Sequence, residues 1–144
     1  MVVTFGEALV DMIEMPDGRF AAALGGAVCN FTIAAARQRM DATYLNPLSS
    51  DSFGQGFARM LERDGVRLGS PERSARPTSL AIVTLDAGGT PSYVFHREAV
   101  ADRDIRPEQA RAARRPRRRR GRRTPAGARW RPPKSAHPPQ PQPG

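Results

Sequence analysis

The chain has 144 residues, a single cysteine and a formal net charge of +9. That length suits one ordinary domain, Cys29 alone excludes an internal disulfide, and no apolar run reaches the ~20 residues of a membrane span. The charge is divided rather than spread: residues 1–105 sum to −3 and residues 106–144 to +12, with five prolines before the break and nine after it. The N-terminus has no basic stretch leading into an apolar core, so no signal peptide is expected and a cytoplasmic location is.

Residues 2–5, Val-Val-Thr-Phe, are β-branched and aromatic and stop at Gly6, which predicts a short buried first strand. Residues 8–15 continue extended, with Asp11 among apolar neighbours, and Pro16, Asp17 and Gly18 make a turn. Residues 19–24 are a short strand that delivers the chain to Gly25 and Gly26. A helix is predicted over 27–39, rich in alanine and apolar enough to cover a sheet. Residues 43–48 read as a third core strand broken by Pro47, and residues 49–52 as a loop able to cap the next helix, predicted over 53–63. Phe53, Phe57, Met60 and Leu61 share one face of that helix, and Gly65 is placed to end it in the left-handed conformation. This order of strands and helices predicts an α/β unit with parallel strands. A hairpin follows, residues 79–86 and 92–97 about a turn at 87–90, with Tyr93, Phe95 and Arg97 on one face.

The densest chemistry lies at the glycine pair and the helix start behind it. Glycine lets backbone come close to a ligand, and a helix start offers free N–H groups and the positive end of a dipole. Asn30 adds two donors and an acceptor, a set suited to a polyhydroxylated molecule. An ordinary turn before a buried Ala-rich helix explains the same residues equally well. Arg97 reads either as a ligand contact on a lid or as an edge-strand arginine lying over apolar surface. Cys29 reads as a small packing residue, and His96 and His137 lack metal-ligand company.

Taken together, four segments resemble the ribokinase-like (pfkB) carbohydrate kinases. They are Phe5-Gly6-Glu7-Ala8-Leu9-Val10-Asp11, the stretch from Gly25 to Asn30, Leu48-Ser49-Ser50-Asp51-Ser52-Phe53-Gly54, and the hairpin from Pro77 through Arg97 to Asp102. The resemblance covers about residues 2–105, roughly the first third of a family member, and is nearest to fructokinases and 2-keto-3-deoxygluconate kinases. It implies an incomplete three-layer αβα fold with a β-hairpin lid. It further implies that Asp11, Gly25, Gly26 and Asn30 contact sugar hydroxyls, that Arg97 reaches them from the lid, and that ATP and Mg2+ serve the intact family. Lids of such proteins often pair, so a homodimer is also implied. Arg39 stands where the family usually ends the helix with glycine, which implies slight strain in that turn.

The family's second signature, Asp-Thr-x-Gly-Ala-Gly-Asp, whose last Asp is the catalytic base, is absent from these 144 residues. No Gly-x-x-x-x-Gly-Lys-Ser/Thr loop replaces it, and Gly54-Gln55-Gly56 sits within a helix pattern. The chain therefore reads as a truncated sugar kinase that keeps sugar-binding residues, lacks the phosphate-transferring half and is inactive alone. From Arg106 onward the sequence is Arg- and Pro-rich, with Trp130 as its one aromatic, and is expected to be disordered. Such a tail matches a shifted reading frame beginning between about Ile105 and Arg114. The alternative is a binding module whose Arg-rich run takes up nucleic acid or another polyanion by counterion release.

Overall fold

The structure is a computed structural model and describes residues 1–113. In chain order its elements are β1 (Val2–Thr4), β2 (Leu9–Glu14), β3 (Phe20–Gly25), α1 (Ala27–Arg37), β4 (Ala42–Tyr44), α2 (Ser52–Arg63), β5 (Arg67–Leu68), β6 (Ser79–Leu85), β7 (Pro91–His96) and α3 (Pro107–Ala113). They form two sheets. The base sheet is parallel, in the order β1-β4-β5, and the lid sheet runs β3-β2-β6-β7.

Parallel neighbours need crossover connections, and α1 and α2 supply them in the base. The strands advance in one direction across the sheet, so two right-handed crossovers put both helices on one face. Their apolar sides meet there: Cys29 and Ile33 of α1 and Phe57 and Leu61 of α2 share one buried cluster with Ala42 and Tyr44 of β4. Val10 and Leu24 from the foot of the lid sheet join that cluster or pack against it. On the other face, Val3 and Phe5 stand 40% and 62% exposed. The described residues thus hold two of the three expected layers.

Several expectations need correction. The lid is a four-stranded sheet rather than a hairpin. β2 and β3 pair antiparallel within it, while β2 also pairs parallel with β6. Residues 8–15 and 19–24 therefore belong to the lid, because the chain leaves the base at Gly6 and returns only at α1. Of the strand expected over 43–48 only residues 43 and 44 lie in β4 (Ala42–Tyr44); beyond it the Asn46 side chain turns to Gly6, and pairing resumes only at an isolated parallel bridge between Ser49 and Ser74. β5 was not legible, since two residues leave no periodicity. Disorder expected from residue 106 meets α3, which Pro107 in its first turn, an acidic Glu108 and its alanines favour. The rest of the Arg-rich run lies outside the described residues.

Candidate functional site

Gly25 ends β3 opposite Leu9, and a Cβ placed on it would stand 2.8 Å from an Asp11 carboxylate oxygen. Its missing side chain is what leaves that carboxylate its place. Gly26 has φ +101, and a Cβ there would press on the Glu7 carbonyl oxygen, 2.8 Å away. The pair thus lets two acidic residues close on the start of α1.

Glu7 claims that helix start. Ala27 N–H donates to Glu7 Oε1 at 3.1 Å, and Cys29 N–H donates to the Glu7 carbonyl at 3.3 Å. The expectation of free amides facing a ligand is corrected here, because the chain supplies its own carboxylate where the dipole favours one. Asn30 lies one turn in, exposed, and its N–H donates to the Gly26 carbonyl at 2.9 Å. Cys29 is fully buried, and burial pushes its thiol up to about 12. It packs, as its sequence context indicates.

Strand pairing places Asp11, Ala23, Ala81 and Phe95 in one row of the lid. Two rows nearer the base, past Val10, Leu24, Leu80 and His96, come Gly25, Leu9 and Ser79, with Arg97 just past the end of β7. Asp11, Gly25 and Arg97 therefore share a face. Arg97 is committed to acids on that side: its Nη2 lies 3.4 Å from Asp102 Oδ2 and 3.9 Å from Glu7 Oε2. Its Nε is buried without a partner among the described residues. Tyr93 and Phe95 stack with centroids 6.1 Å apart.

Asp102, Asn46 and Ser79 were missed in the sequence. Asp102 is buried; its Oδ1 accepts from the Ser79 hydroxyl at 2.8 Å, and its carbonyl accepts from Asn46 Nδ2 at 2.6 Å. Asn46 Oδ1 in turn accepts from Gly6 N–H at 2.8 Å. The Tyr44 hydroxyl donates to the Gly6 carbonyl at 2.8 Å. Burial first, then the Asp102 charge, holds that hydroxyl's pKa far above its ordinary range, so it stays a donor. A buried Asn between Leu45 and Pro47 is a signal the sequence does carry, because a buried amide requires partners for both of its ends.

Gly54 packs against the Ser49 backbone and Gly56 against Leu24, so neither glycine leaves a cradle. No cluster of three or more His, Cys, Asp or Glu side chains suited to a metal occurs among the described residues.

A match to the pfkB family of carbohydrate kinases spans residues 1–115. Fructokinase-1 of Oryza sativa subsp. japonica is 38% identical over 111 residues, which are 71% of this chain and 34% of the relative. Fructokinase from Xylella fastidiosa superposes with a TM-score of 0.68 at 35% identity, over 75% of this chain and 37% of that one. A second structure of the Xylella enzyme holds ATP, at 33% identity and TM-score 0.68, over 75% of this chain and 36% of that one. The chain spans about a third of the length of the relatives it matches.

Proposed function

The chain belongs to the pfkB family of carbohydrate kinases, and on that premise we propose that it presents a sugar-binding site of the family without phosphate transfer. One observation carries the reading: the Asp11 carboxylate stands against the bare Cα of Gly25, on a lid face that it shares with Arg97. An ionised carboxylate accepts from two neighbouring hydroxyls at once. Gly25 and Gly26 admit the sugar ring to backbone distance, Asn30 adds donors from α1, and the Arg97 side chain, 28% exposed, offers a further donor to one more oxygen. The relatives named above are fructokinases, so D-fructose is the first ligand to test.

Kinases of the family draw phosphate from ATP. The residues described here do not fit that role: the first amides of α1 are taken by Glu7, and the Gly54–Gly56 stretch is packed. Sugar hydroxyls can be held and oriented by this chain, but its described residues place no group to bind or polarise a transferred phosphate.

Calorimetric titration of the full chain with D-fructose tests the binding half. Asp11→Ala is expected to weaken binding by about tenfold or more, the loss of a charge-assisted contact. Equal binding by the variant defeats the assignment of Asp11. For the transfer half, incubation with ATP, Mg2+ and fructose should yield no sugar phosphate, and measurable turnover would overturn it.

A further inference from the structure

The lid meets the base through chain crossings, and two of them, residues 5–8 going out and 97–103 coming back, are joined by one side chain. We propose that Asn46 is a positioning residue for the candidate sugar site, a role that rests on the sugar-binding reading above. Asn46 belongs to the base and is 3% exposed. Its Oδ1 accepts from Gly6 N–H on the outgoing crossing at 2.8 Å, and its Nδ2 donates to the Asp102 carbonyl on the returning crossing at 2.6 Å. This is the one amide orientation that satisfies both neighbours, since Gly6 offers a donor and Asp102 an acceptor.

Both crossings have unusual backbone. Gly6 stands at φ +156, which glycine takes freely and so leaves unfixed, and Ala99 is held at φ +47. The Ala99 conformation persists only where surrounding contacts over-determine it. The two crossings also carry the charged residues that touch one another: Glu7 on the first, and Arg97 and Asp102 on the second. By fixing Gly6, Asn46 sets where Glu7 meets Arg97. By fixing Asp102, it sets where the same guanidinium is anchored, and so how the part-exposed Arg97 side chain is presented on the lid face. Asn46 touches no sugar in this arrangement; it aims a residue that does.

The test uses the full chain, titrated with D-fructose and followed by amide hydrogen exchange. Asn46→Ala is expected to weaken fructose binding about tenfold and to raise exchange at Gly6 and Arg103 by a similar factor, with α2 unchanged. Asn46→Asp keeps the acceptor for Gly6 and loses the donor to Asp102. It should therefore loosen the returning crossing alone, and it serves should the alanine variant not fold. A wild-type chain that binds fructose with an affinity insensitive to both variants overturns the positioning role by itself. Exchange that rises equally through α2 and β4 also overturns it, as a loss of general stability. A wild-type chain that binds no fructose overturns the sugar reading and this role with it.

Discussion

The two helices of the base end in the same hydrogen-bond pattern but with different residues at its critical position. At the end of α2, Gly65 N–H donates to Glu62 O and Val66 N–H to Leu61 O, with Gly65 at φ +82. At the end of α1, Arg39 N–H donates to Ala36 O and Met40 N–H to Ala35 O, with Arg39 at φ +64. Both are Schellman caps, whose turning residue is left-handed. Glycine adopts that conformation freely, whereas a residue with a Cβ does so at a cost of about 1 kcal/mol. Arg39→Gly should therefore stabilise the chain by about that amount, and Gly65→Ala, which meets no neighbouring atom, should destabilise it comparably. Urea midpoints of the two variants decide the matter; an Arg39→Gly chain no more stable than wild type would remove the strain argument. The strain at Arg39 was legible only through the family resemblance, in which this helix usually ends with glycine. The partners of Arg97 were not, since Glu7 and Asp102 reach it through the fold rather than through spacing.

Among the elements, α2 is the one whose sequence most fully determined its structure, and Asp51 shows why. Its Oδ1 accepts from Gly54 N–H at 2.7 Å, capping the helix as the Ser- and Asp-rich loop predicts. The same carboxylate also accepts from Thr78 N–H and Oγ1, both at 2.8 Å, just before β6. One side chain thus ties a base helix to a lid strand, and that second role is invisible to local pattern. Burial raises the Asp51 pKa, but the bonds from Gly54, Thr78 and Ser49 outweigh it and hold the carboxyl below its usual value. A lowered pKa means stability that is complete above about pH 4 and lost as the pH falls below it. Asp51→Ala should cost about 1–2 kcal/mol at neutral pH. It should also flatten the acid limb of the stability profile below about pH 4, where the wild type declines. Parallel acid limbs in the two chains would show that Asp51 does not titrate with folding. The lid was less legible than α2, because alternation marks a strand without saying which sheet it joins. β2 and β3 read only as an extended stretch and a short strand, and it is their pairing with β6 and with each other that makes them lid.

At the scale of the whole molecule, two features that look separate have one physical explanation. The open side of the base exposes Val3 and Phe5, while α1 exposes Phe31 and the lid exposes Tyr93, Val94 and Phe95. Parallel sheets of this kind are ordinarily covered on both faces. Residues 114–144 contain no Leu, Ile, Val, Met or Phe and only Trp130 as a large apolar side chain, so their composition offers too little to cover those surfaces. Up to residue 115 the chain matches its family, and α3 is a regular helix to Ala113. Composition then changes abruptly to Arg, Pro, Gly and Ala. Arg outnumbers Lys 22 to 1 in the chain, as GC-rich codons produce, and reading such codons out of frame yields those same four residues. We therefore propose a frame change between about Ile105 and Arg114. Translating the other two frames of the gene beyond codon 105 should restore an apolar sequence in one of them, ending in the Asp-Thr-x-Gly-Ala-Gly-Asp signature of the family. If neither frame carries that signature, the Arg-rich tail belongs to this protein by design. Its +12 charge then has to be explained by a polyanion that it binds, with uptake falling steeply as salt rises.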